Sequence, residues 1–160
     1  MFNESKANNS IVPGSTFDAV SERWYDYPIV VYPHHTDYSG SVWHGQYLAW
    51  MEEARIEYLN SMGVDFAELV DLGCDLPVVE LSLRYHKSLR LGDIAMVRAR
   101  VSNVEGVKIH WDYKIESEGS QCYTYLSGKV TLVTIDRQRG KIMRQIPPNI
   151  KDILLKLVSG

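Results

Sequence analysis

Between Val79 and Ile115 the chain alternates apolar and polar residues in three successive runs. Period two over that length means antiparallel strands with one buried face. In VELSLRYH the apolar set is Val79, Leu81, Leu83 and Tyr85; in MVRARVS it is Val97, Ala99 and Val101. In VKIHWDYKIE it is Val107, Ile109, Trp111, Tyr113 and Ile115. A last long run, YTYLSGKVTLVTID, is apolar on both phases, so it is central, bulged or covered on both sides. The links LGD (91–93), NVEG (103–106), EGS (118–120) and RQRG (137–140) are short, which favours a meander.

One long helix accompanies these strands. GQYLAWMEEARIEYLNSMG (45–63) is rich in helix formers and closes on Gly63 as a C′ residue; a shorter piece, VDFAELVDLG, ends on Gly73. On a helical wheel Tyr47, Trp50, Met51, Ala54, Tyr58 and Met62 form one stripe, which Leu48 and Leu59 widen to roughly half the circumference. A helix so apolar must be largely surrounded, and a strongly curved antiparallel sheet wrapped around it is the economical solution. Arg55 falls inside the apolar arc and needs a partner, which Glu52, three residues earlier, is placed to supply. Before the helix, WYDYPIVVY (24–32) reads as a strand, with Pro28 marking an edge or an irregularity; after the sheet, Pro147-Pro148 introduces a short amphipathic helix. The fold class is α+β, a long central helix wrapped by a curved antiparallel sheet: the hotdog fold.

A chain of 160 residues is one domain's worth. Residues 1–22, rich in Asn and Ser and without periodicity, read as a flexible N-terminal tail, leaving 23–160 as a single domain. The net charge of −3 gives no support for nucleic-acid binding. The polar start lacks the apolar core of a secretory signal, and no apolar run approaches the ~18 residues that span a bilayer. Cys74 and Cys122 fit neither a zinc spacing nor a disulfide framework. The expectation is a cytoplasmic protein with no membrane partner.

HHTDYSGSVWHG (34–45) carries the chemistry-bearing residues. Asp37 before Gly40 reads either as an Asx-turn closing the loop or as a reactive carboxylate at the mouth of a helix. His34, His35, Asp37 and His44 are all metal-ligand types. Adjacent histidines on an extended chain point to opposite sides, however, and His86 and His110 stand alone on polar strand faces, so no metal is expected.

The stretch from Val31 to Gly63 resembles the signature of the 4-hydroxybenzoyl-CoA thioesterase family of hotdog proteins. That signature runs from an acidic D-x-D-x-x-G turn through V-(Y/W/F)-(H/Y)-x-x-Y at the helix start to E-x-x-R. Thr36-Asp37, Gly40, Val42-Trp43-His44, Tyr47, Glu52 and Arg55 fall in register with it. Downstream, LRYHKSLRLGDIAMVRARV looks like the family's strand, basic turn and next strand, so the likeness covers about residues 25–136. Two departures stand out: His35 occupies the place of the first Asp of the acidic pair, and the hairpin NVEGVK offers only Lys108 where the 4-hydroxybenzoyl enzymes carry a basic cluster.

The resemblance implies an acyl-CoA thioesterase. Asp37 would act as nucleophile, through a mixed anhydride, or as general base for water. The main-chain N–H of His44 at the helix start would polarise the carbonyl. His35 would neighbour and orient Asp37, Gly40 would shape the turn, and Trp43 would line the acyl pocket. Lys87, Arg90 and Lys108 would meet the phosphates of coenzyme A. Coenzyme A enters only as part of the substrate, with no metal or redox cofactor, and the assembly would be a homodimer or homotetramer. Alternatives are a hotdog hydratase or dehydratase, an acyl-carrier-protein thioesterase and a non-catalytic acyl-CoA-binding protein. Asp37 and His44 are seven apart, unlike the D-x4-H spacing of hydratases. Glu52 matches a helix-borne glutamate that another hotdog lineage uses in catalysis.

Overall fold

Strand β1 (Tyr25–Val30) begins a computed structural model that describes residues 23–159; the expected tail, 1–22, lies outside the described residues. The chain continues through a 3-10 turn (Pro33–His35) into helix α1 (Gln46–Ser61) and the short α2 (Phe66–Asp71). Then come β2 (Cys74–Asp75), β3 (Val78–Tyr85), β4 (Ile94–Glu105), β5 (Lys108–Ser117) and β6 (Thr124–Val133). A hairpin of β7 (Ile135–Asp136) and β8 (Lys141–Ile142) leads to α3 (Pro148–Ser159). Gly63, at φ +84°, ends α1 in the left-handed conformation that a side chain would strain, as the sequence suggests.

The main sheet has the order β1-β4-β5-β6-β3, with every neighbouring pair antiparallel. A second, small sheet joins β2, β7 and β8. Helix α1 lies across β1 and β4, and α3 packs alongside β4. Ala95, Val97, Ala99 and Val101 of β4 and Ile109, Trp111, Tyr113 and Ile115 of β5 are all buried with Tyr47, Trp50, Met51, Ala54, Tyr58 and Leu59 of α1. Gly128 of β6 is a point of close approach: a Cβ there would meet the Leu83 and Met51 side chains. The central helix and wrapped antiparallel sheet are those of the hotdog fold.

Three sequence expectations need correction. The meander holds for β4, β5 and β6, but β3 sits at the far edge beside β6, so the turn at 91–93 is no hairpin. The chain from Tyr85 to Ile94 instead crosses the end of the sheet, plugged by the buried Leu89 and tied to the end of β1 by Gly92 N–H to Val31 O (3.0 Å). Secondly, the apolar face of β3 is not buried. Val79, Leu81 and Tyr85 are 55%, 43% and 47% exposed, because α1 lies over β1 and β4, away from the β3 margin of the same face. Thirdly, Glu52 and Arg55 form no ion pair; Arg55 is buried and donates to the Tyr113 hydroxyl at 3.0 Å. For β6, all three of the open possibilities are met: it lies inside the sheet, its register against β5 shifts at Tyr125, and it is buried on both phases from Val130 to Val133.

Candidate active site

The turn after the 3-10 segment is closed by its own carboxylate. Asp37 Oδ1 accepts from the Ser39 hydroxyl (2.6 Å), the Ser39 N–H (2.8 Å) and the Ser41 N–H (3.3 Å). Gly40, at φ +81°, reverses the chain, and its carbonyl accepts from Leu91 N–H at 3.0 Å. Arg90 lies opposite Ser41 in a β-bridge and donates Nη2–H to the Ser39 carbonyl at 3.3 Å. The Ser39 hydroxyl and N–H hold the Asp37 carboxyl below its ordinary range, against the opposing effect of desolvation and with lesser help from Ser41 and the Arg90 charge. Asp37 is therefore an exposed, fully ionised carboxylate at neutral pH, with no hydrogen bond to Oδ2 among the described residues.

The helix start is braced from the sheet. Tyr85 donates its hydroxyl to the His44 carbonyl at 2.8 Å, and the Tyr47 hydroxyl accepts Leu89 N–H at 3.0 Å. The main-chain N–H of His44 has no acceptor among the described residues, and Gly45 caps α1. Trp43 is half exposed, and its ring lies where a Cβ on Gly45 would be.

His35 faces away from this carboxylate. Its Nδ1 accepts Tyr32 N–H at 3.0 Å, and its ring meets Trp50 edge-on at 5.1 Å. Burial, and then the neighbouring His34, lower its pKa. The groups that orient Asp37 are Ser39, Ser41 and Arg90 instead.

Of the candidate phosphate contacts, Arg90 sits beside the acidic turn, and Lys87 lies just past β3 with its ammonium 4.6 Å from the Tyr123 ring centre. Lys108 faces Glu105 in the β4–β5 hairpin. That is the opposite end of β4 from Arg90, on the order of 40 Å away at the rise of an extended strand. Sequence reasoning missed Ser39 and Ser41, ordinary turn residues, and Tyr85, whose place in the alternation marked it as core. Among the described residues no group of three or more His, Cys, Asp or Glu side chains is placed to hold a metal. No helix there is long and apolar enough to cross a membrane.

Comparison with known proteins bears on this geometry. The thioesterase superfamily matches residues 39–123. The chain is 48% identical over 154 residues to sll0410 of Synechocystis sp., provisionally named an esterase, covering 95% of this chain and 91% of that one. It is 33% identical over 92 residues to the acyl-CoA thioesterase YbgC of Haemophilus influenzae, covering 57% of this chain and 68% of that one. Among solved structures it is similar to Slr0204, a 1,4-dihydroxy-2-naphthoyl-CoA thioesterase from Synechocystis, at 22% identity and TM-score 0.76 over 84% of this chain and 98% of that one. The chain belongs to the thioesterase superfamily and is a thioester hydrolase of hotdog fold.

Proposed function

We propose that the protein hydrolyses acyl-CoA thioesters, with Asp37 as the reacting carboxylate and the His44 main-chain N–H polarising the thioester carbonyl. The observation that carries this is the one-sided binding of Asp37. All its donors reach Oδ1, so Oδ2 is left with its lone pairs available at the surface. In the nucleophilic form Oδ2 attacks the carbonyl carbon, the C–S bond breaks and coenzyme A leaves as the thiolate; water then cleaves the mixed anhydride. In the general-base form Oδ2 takes a proton from the attacking water. In either, the unpaired His44 N–H, just ahead of the α1 N-cap, receives the charge that develops on oxygen.

The likeness to the 4-hydroxybenzoyl-CoA branch supports the assignment of Asp37 and His44, and the name of the Haemophilus relative supports coenzyme A as the carrier. Arg90 and Lys87 are the proposed phosphate contacts, with Lys108 too distant to join them within one copy. Trp43 lines the acyl side. His35 shapes the turn from behind through Trp50. We further propose a cytoplasmic homodimer, alone or paired into a tetramer, working without metal or redox cofactor.

The test is hydrolysis of a panel of aromatic and aliphatic acyl-CoAs, followed with a thiol reagent, for wild type and Asp37→Asn, with and without chelator. Asparagine keeps the Oδ1 acceptor, so the turn survives and a loss of ~10²-fold or more reads on chemistry. Full activity in the mutant would sink the assignment, and loss of wild-type activity to chelator would restore the metal reading.

A further inference from the structure

The face of the main sheet turned away from α1 carries cations that its own carboxylates do not neutralise. Arg98 and Arg100 of β4 and Lys114 of β5 alternate with the buried Val97, Ala99 and Tyr113, so they stand on that face. Arg98 lies directly opposite Lys114, a like-charge pairing that is unfavourable unless something negative intervenes. The nearby carboxylates are engaged elsewhere. Asp26 takes Arg98 at 2.9 Å, with Glu116 at 3.7 Å, and Asp112 takes Arg100 at 3.0 Å. Arg84, Lys114 and Lys129 have no carboxylate at ion-pair distance among the described residues.

The register gathers these three. Lys114, Ser127 and Arg84 form one cross-strand row over β5, β6 and β3, and Lys129 and Ser82 stand in the next row. Around Gly128, which contributes no side chain, these residues line a cleft of about 290 Å³. Trp24 forms one wall, its ring centre 4.4 Å from the Arg100 guanidinium carbon and 5.1 Å from the Lys114 ammonium. His86 Nε2 holds the Ser127 hydroxyl at 2.9 Å. Glu80, the next acidic residue along β3, lies beyond Ser82 and outside the cleft. Adjacent strands are ~4.8 Å apart, which puts the Lys114 and Arg84 backbones ~10 Å apart across β6. A lone anion meets one of these cations at a time, whereas a chain of linked phosphates spans all three.

We propose that this cleft binds a linear polyphosphate group, as carried by nucleoside di- and triphosphates or by inorganic polyphosphate. The Arg84 guanidinium and the Lys114 and Lys129 ammoniums grip its outer oxygens, and the Ser82 and Ser127 hydroxyls add neutral contacts. The site is separate from the acyl-CoA contacts proposed above, because α1 and its start lie over the other face of the sheet.

Calorimetric titration of the full chain with tripolyphosphate, free of divalent metal, tests it. Arg84→Ala and Lys129→Ala change exposed positions, so both should keep the circular dichroism spectrum and the thioester turnover of the wild type. Each should weaken tripolyphosphate binding about tenfold, while Lys151→Ala, on α3, leaves it unchanged. Parallel titrations with ADP and ATP separate the sources. Equal affinity for tripolyphosphate and ATP assigns the phosphate chain alone, and a gain for ATP that Trp24→Ala removes adds a base stacked on Trp24. No binding at roughly millimolar tripolyphosphate, or binding that Arg84→Ala and Lys129→Ala leave intact, overturns the site. An equal loss in Lys151→Ala overturns it in favour of diffuse charge attraction, and competitive displacement by coenzyme A overturns its separateness from the substrate.

Discussion

Ser39 holds Asp37 with two donors on a single oxygen, the hydroxyl at 2.6 Å and the N–H at 2.8 Å from Oδ1. The hydroxyl is the largest cause of the lowered carboxyl pKa. Ser39→Ala removes it, so the pKa rises toward the ordinary carboxylate range. If the ionised form reacts, the acid limb of the kcat/KM profile moves to higher pH, while the rate at neutral pH stays within about threefold. A pH profile of the two proteins checks this; an unmoved limb would separate that limb from Asp37.

Tyr85→Phe removes the hydroxyl that braces the His44 carbonyl. Loosening that carbonyl frees rotation about the His44 Cα–C bond, next to the peptide that carries the His44 N–H, so the oxyanion donor is held less firmly and kcat should fall about tenfold, in line with one lost hydrogen bond, with KM little changed. Steady-state kinetics on one acyl-CoA decides it. An effect confined to KM would instead place Tyr85 in substrate binding.

Gly45→Ala puts a methyl where the Trp43 ring lies, at a backbone conformation (φ −78°, ψ −20°) that alanine adopts freely. The clash is steric and local. Turnover should drop through displacement of Trp43, by on the order of tenfold, and Trp43→Ala in the same chain should recover part of it. No recovery in the double variant would point to the helix start itself.

Tyr113→Phe takes away the hydrogen bond that Arg55 makes within the chain. Burial pushes the Tyr113 hydroxyl up to about 12, against the lowering effect of Arg55, so it stays a neutral partner throughout the working range. Its loss should cost about 1–3 kcal/mol of stability. Urea unfolding at fixed protein concentration measures this, and a change below ~0.5 kcal/mol would mean the guanidinium has found another acceptor.

Strands and central helix were legible because the side chains that specify them are local and periodic. Tyr47, Trp50 and Ala54 recur at helical spacing, and Ile109, Trp111 and Tyr113 at strand spacing. The place of β3 was not legible. Alternation reports which residues share a face, not whether anything covers that face, so Leu81 and Ile109 carry the same local signal and end in opposite environments. The acidic turn was legible as Asp37 and Gly40. Its electrostatics were not, since Ser39 and Ser41 reach Oδ1 only once Gly40 has reversed the chain, and Arg90 arrives from the sheet-end crossing. Glu52 and Arg55 show the converse limit: helical spacing made a pair feasible, but Tyr113 drew Arg55 inward.

The two margins of the main sheet are unequal, and this bounds how large an assembly can grow. Along β1 the register with β4 runs unbroken through Pro28, opposite Met96, so the missing N–H of Pro28 faces outward. A further strand approaching that side meets a gap in the donor row, with the Asp26 charge close by. Among the described strands of the main sheet, edge-to-edge growth is open only along β3. Association there uses up that sheet's one receptive border, which makes a finite particle rather than a fibre.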